Sequence, residues 1–150
     1  LHTADKAWSL APNPRTVPAT GHVLYESLAD VFSAAWALHR DAATAARLRR
    51  LARATNTWAA AFPIARPFAL NVDGLARLAA GDRLGAAARW RTALDLARAA
   101  PQPLEALRAL RALLAHGDLD ADTRAAYAAQ RDALDAETTL PDPDARPSVL

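Results

Sequence analysis

The sequence predicts an all-α fold, three antiparallel helical hairpins stacked as a short α-solenoid, and three observations carry that prediction. The first is residue usage: 52% of the chain is apolar, and 41 of those residues are alanine, against five valines and one isoleucine. Alanine and leucine favour helix, whereas β-branched residues dominate strands. The second is spacing. Apolar residues recur with helical period in successive stretches separated by Pro or Gly-Asp punctuation. The third is the block from Gly74 to Leu96, GLARLAAGDRLGAAARWRTALDL. Its small residues Gly74, Gly81, Ala86 and Ala93 surround bulky Trp90 and Leu94, the pattern of two helices packed so closely that large side chains are excluded where they cross. His116-Gly117-Asp118 repeats the Gly81-Asp82 punctuation 36 residues later, an internal echo of a repeat stack.

The elements follow in order. Residues 1–19 carry Pro12, Pro14 and Pro18 and few periodic apolar positions, and read as an extended or poorly ordered arm, with Trp8 docked on a neighbour. A first helix runs from about Thr20 to Arg40 with Leu24, Leu28, Val31, Ala35 and Leu38 on one face. Asp41 caps a second, to about Ala61, which buries Leu48, Leu51, Ala52 and Trp58. Pro63 ends it, and Pro67 opens a third, to about Ala80, because proline suits the first helical position. Gly81 stops that helix as a left-handed residue and Asp82 caps the fourth, to about Ala100. Pro101 and Pro103 separate it from a fifth, about 103–116, with Leu104, Leu107, Leu110 and Leu114; a sixth covers about Asp120 to Glu137. The helical repeat domain is thus 20–139, and 140–150, with three prolines, reads as a disordered tail.

Charge is segregated rather than large. The formal net charge is +2, yet Ala42 to Val72 holds five arginines and no acid, while Asp118 to Asp144 holds eight acids and two arginines. Arg47, Arg49, Arg50 and Arg53 form a basic face on the second helix. That face suits a contact to an acidic neighbour. Nucleic acid is the alternative partner, in a stand-alone basic helical protein, but base-stacking aromatics are not interleaved with the arginines and the reading is disfavoured. There is no cysteine, and hence no disulfide or thiolate metal site. No apolar run approaches the ~20 residues of a membrane span, and no basic region followed by an apolar core opens the chain, so a cytoplasmic location is expected.

The sites of chemistry are few. Asp118, Asp120 and Asp122 open like a calcium loop, but Thr123 stands where that loop needs glycine and Ala129 where it needs a bidentate glutamate; the acids read instead as a helix N-terminus. No two histidines stand at i,i+4 and no cysteine is present to complete a ligand set, so no metal site is expected. No nucleophile turn or phosphate loop exists. No catalytic residue and no cofactor follow.

Gly74, Gly81, Asp82, Ala86, Trp90 and Ala93-Leu94 resemble the small and aromatic positions of a tetratricopeptide repeat. Over a longer stretch, about 20–137, the chain is similar to the tetratricopeptide-like C-terminal region of bacterial nucleotide-cyclase and signalling-ATPase fusion proteins. In that family a Phe-Pro-Ile-x-Arg-Pro turn, here Phe62 to Pro67, precedes a glycine-containing helix and then an Ala/Trp/Ala helix; the aromatic entry helix, Tyr25 to Trp36, also fits. The resemblance implies a protein-interaction or regulatory scaffold module whose catalytic residues lie in other domains. Its partner would be another protein or upstream domains of the same polypeptide, held in a groove lined by Asn71, Leu75, Arg77 and Leu78.

Overall fold

The structure, a computed structural model, describes residues 1–9, Pro14 and 22–138. Seven α-helices and a 3₁₀ turn make up the described residues: α1 (His2–Ser9), α2 (His22–His39), α3 (Ala42–Ala61), the turn Pro63–Ala65, α4 (Arg66–Ala79), α5 (Arg83–Ala99), α6 (Pro103–His116) and α7 (Ala121–Thr138). From α2 onward, connections of two to four residues join helices that pack on their predecessors, so each runs back along the one before. In addition, α4 touches both α2 and α6.

Local chemistry sets the boundaries. Asp41 accepts the Thr44 N–H at 2.6 Å, Asp82 that of Gly85 at 2.9 Å and Asp120 that of Thr123 at 2.7 Å, each satisfying a donor that the first helical turn leaves free. Pro63, Pro67 and Pro103 sit in first turns, where no N–H is needed. Gly81 adopts φ +85°, a conformation that costs a residue with a Cβ ~1–2 kcal/mol.

Two apolar clusters form the core. One joins α2, α3 and α4 through Tyr25, Phe32, Leu48, Leu51, Trp58 and Phe68. The other joins α5 and α6 through Trp90, Leu94, Leu110 and Leu113, with Leu70 and Leu78 of α4 and Tyr127 and Leu134 of α7 packed against it. Helix α4 therefore works on both sides. It can do so because Gly74 lets the Trp90 ring lie directly on its backbone; a Cβ there would stand 2.7 Å from ring atoms Cδ1 and Cε2.

The described start of the N-terminal arm differs from expectation, while 10–13 and 15–19 lie outside the described residues. His2–Ser9 is a helix, and it is tied down rather than loose. Asp5 takes both Arg47 Nε at 2.8 Å and Nη2 at 2.7 Å, Trp8 lies 6.5 Å from the Tyr25 ring, and the Arg50 guanidinium stacks 4.8 Å from Trp8. The prolines that suggested an arm all fall after this helix, and its partners lie on α2 and α3, up to 42 positions away, beyond any local pattern. The disordered-tail expectation for 140–150 lies outside the described residues. The face of α2 is also rotated. Tyr25, Leu28, Ala29, Phe32 and Ala35 are buried, whereas Val31 and Leu38, expected inside, are 43% and 78% exposed. Helix α2 is apolar on more than one side, with Glu26, Asp30 and Ser33 on another, so its periodicity does not single out one apolar face; the aromatics choose it.

Candidate functional site

With α3 and α5 each packed between neighbours, the inward sides of α2, α4 and α6 are left facing one another. They enclose two adjoining clefts, of about 270 Å³ and about 390 Å³. The first is walled by Ala29 and Ser33 of α2, Val72 and Leu75 of α4, and Ala112 of α6. The second opens between Trp58, Phe68 and Leu104, with Ile64 at its mouth. Ile64 is 70% exposed and Leu104 47%, so the entrance presents apolar surface to water. Gln102 Nε2 donates to the Ile64 carbonyl at 3.0 Å and clasps the two sides of this mouth together.

Asn71 sits at the centre, only 8% exposed. Its Nδ2 donates to the Glu105 carbonyl at 3.0 Å and to Glu105 Oε2 at 2.9 Å, and its own carbonyl receives the Trp90 Nε1–H at 3.2 Å. Two acceptors on Nδ2 fix which end of the amide is nitrogen. Oδ1 is thereby left as an acceptor, buried and with no partner among the described residues. Such a group costs ~1–3 kcal/mol of lost hydration unless a donor reaches it.

Glu105, 6% exposed, is held by the same amide and by Arg108 Nη1 at 2.5 Å. Burial pushes its carboxyl above the usual range, outweighing the opposing pull of Arg108 and Asn71. The ion pair and the upward shift point in opposite directions, and burial decides, because ionised oxygens this far from water lose more hydration than one partly buried arginine returns. Arg108 also reaches Glu26 at 3.3 Å and Asp30 at 3.8 Å across the cleft and stacks 5.7 Å over Phe68. One guanidinium thus links α6 to α2 over the aromatic floor contributed by α4.

Of the four residues expected to line a groove, Asn71 and Leu75 meet in the first cleft. Leu78 packs against the α5–α6 core. Arg77 lies in a separate hollow beside Arg49 and Arg53, bound to Asp73 at 3.2 Å and to Asp82 at 2.9 Å. The basic face divides as well: Arg47 and Arg50 are engaged by α1, while Arg49 and Arg53 stay exposed. Sequence reasoning missed Glu105, Arg108 and Phe68. Glu105 reads as an ordinary first-turn acid and Arg108 as its i+3 partner; nothing local signals that both turn inward.

No group of three or more His, Asp or Glu side chains among the described residues could hold a metal ion. Asp120, singled out in the Asp-x-Asp-x-Asp run, accepts from Thr123 N and, at 2.8 Å, from Thr123 Oγ1, an N-terminal cap. No described helix is long and apolar enough to cross a membrane. The chain matches no protein-family model, no curated protein and no solved structure.

Proposed function

We propose that this chain is a peptide-binding scaffold module without catalysis of its own, in which α2/α3, α4/α5 and α6/α7 are three stacked hairpins of tetratricopeptide-like type. The observation that carries the reading is the cleft itself, walled by apolar side chains of α2, α4 and α6, with Asn71 in its lining and the buried Asn71 Oδ1 still without a donor among the described residues. A peptide laid along the cleft would bring backbone N–H groups beside Asn71, and exposed Ile64 and Leu104 would cover its apolar side chains. The resemblance of Phe62–Pro67 and Gly74–Leu94 extends the reading: the module would be a regulatory segment of a larger bacterial signalling ATPase or cyclase, binding a protein or its own upstream domains in the cytoplasm. The nucleic-acid alternative draws less support, because two of its four arginines are occupied by α1.

Peptides selected from a random displayed library test it. Binders are expected to shift the amide signals of α2, α4 and α6 and to lose about tenfold or more in affinity for Asn71→Ala, the cost of an unpaired buried donor. Circular dichroism checks that the variant stays folded. Selected peptides that map outside the cleft, or that ignore Asn71→Ala, sink the proposal. The larger-parent reading has its own check, the size of the native polypeptide in cells: a band well above 16.0 kDa supports it and a band at that size removes it.

A further inference from the structure

At the end of the same inner surface, where α6 stops and α5 starts, lies a hollow of about 680 Å³ lined by Arg83, Leu84, Arg91, His116, Gly117 and Asp118. His116 lines both this hollow and the first cleft, so the two adjoin at that residue. Arg83 and Arg91 are two turns apart on one face of α5, about 12 Å along the axis. That span lets both long side chains bring their heads to a group held between them. Both are exposed, and neither makes an ion pair with a described residue; Asp118, in the same lining, pairs with neither. Arginines that merely complement the negative end of a helix belong in its last turn. Arg83 and Arg91 lie at the start and in the middle of α5, so the negative end of their own helix does not account for them.

His116 adds a third donor. Its ring rests 6.0 Å from that of Trp90. Burial first, and then the charges of Arg83 and of Arg40 at the end of α2, hold it below the usual histidine range. Two arginines and a histidine from two helices therefore line the hollow, together with one carboxylate, Asp118. A planar carboxylate is satisfied by one arginine fork, whereas a tetrahedral oxoanion has oxygens to offer on three sides.

We propose that this hollow binds a phosphoryl group through Arg83, Arg91 and His116. Resting on the peptide-binding reading above, it would take a phosphorylated side chain of the peptide that Asn71 captures. A free phosphate-bearing molecule is the other source of the same chemistry.

The test is a titration of the His116 ring by NMR, assigned with His116→Gln, using inorganic phosphate and the pentapeptide Gly-Gly-phosphoSer-Gly-Gly as probes. An anion against the ring favours the imidazolium, so phosphate is expected to raise the His116 pKa saturably, which chloride at matched ionic strength does not do. In the Arg83→Gln/Arg91→Gln double variant the resting pKa rises because a repelling charge is gone, but the response to phosphate disappears. Both arginines are exposed, so the variant keeps its fold. The phosphopeptide is expected to bind at least tenfold tighter than phosphate, and Asn71→Ala to remove that advantage while leaving the phosphate response intact. A phosphate response without a peptide advantage keeps the hollow, assigns it to a free phosphate-bearing molecule, and removes the peptide reading. No saturable response in His116 to either probe, or an undiminished one in the double variant, overturns the hollow, even if selected peptides still occupy the cleft.

Discussion

Gly74→Ala puts the α4–α5 crossing to a quantitative test. The added methyl would stand 2.7 Å from Cδ1 and Cε2 of Trp90 and closer still to Nε1, where carbon contacts settle at ~3.5–4 Å. The indole must therefore retreat by about 1 Å, and it has no room to do so. Trp90 is fully buried, and Ala86, Ala93 and Leu94 are buried in the same cluster. Overpacking of this kind costs ~1–3 kcal/mol. The ring would also draw away from the Asn71 carbonyl, now 3.2 Å from Nε1, leaving a buried donor unmade at a further ~1–3 kcal/mol. Replacing glycine inside a helix returns about 1 kcal/mol, so the net loss is about 1–5 kcal/mol. For a domain of this size that lowers Tm by roughly 3–5 °C per kcal/mol. Urea and thermal unfolding followed by circular dichroism measure it. Gly81→Ala is the control. Its Cβ would meet nothing within 4 Å, so only the φ of +85° opposes it, and a smaller loss of ~1–2 kcal/mol is expected. A Gly74→Ala protein that melts at or above the parent temperature would falsify the placement of the Trp90 ring on the α4 backbone.

The remaining expectations concern packing and charge. Ala86→Leu and Ala93→Leu each add bulk at residues with 0% exposure and should each cost ~1–3 kcal/mol; unchanged urea midpoints for both would contradict that packing. Glu105→Gln keeps an acceptor for Asn71 and removes a buried charge, whereas Arg108→Met strands that charge, so Arg108→Met should destabilise far more. The ionised form of Glu105 is disfavoured in the fold, so the parent should lose stability as pH rises from 4.5 through the raised folded value, and Glu105→Gln should not. Equal melting of the two variants, or a matching pH slope in Glu105→Gln, counts against the burial argument. For Asp5 the sign reverses. The Arg47 hydrogen bonds hold its carboxyl below 3.8, so its contribution is present above that pH and is lost as pH falls through the folded value. Both partners are exposed enough that the global effect is small. Amide exchange in His2–Ser9 should rise in acid, or at neutral pH in Asp5→Asn, while α2 to α6 stay protected; protection of His2–Ser9 that survives Asp5→Asn would mean that Trp8 alone holds α1.

Much of the helical framework was legible because its signals are local. Pro63, Pro67, Gly81 and the capping aspartates act on their own turn of chain, so the bounds of α2 to α7 read from them agree with the structure to within about two residues. The candidate site was half legible. Asn71 and Leu75 carry the spacing of an inward face, but Arg77 is drawn off by Asp73 and Asp82, each four or five positions away and as visible in the sequence as the groove itself.

What the sequence by itself determined is the all-α class, the order and ends of the helices from α2 to α7, and a close helix crossing within Gly74 to Leu96. These follow from alanine content, punctuation and side-chain size, which do not depend on distant residues. Only the tertiary structure decided which apolar side of α2 is buried and that His2–Ser9 is held through Asp5 on Arg47 and Trp8 on Tyr25 and Arg50. It alone placed Glu105 and Arg108 against Asn71 and Phe68 so that one amide oxygen is left without a donor. Each of those outcomes depends on partners tens of residues away, and a side chain's surroundings exist only once the helices that supply them have packed.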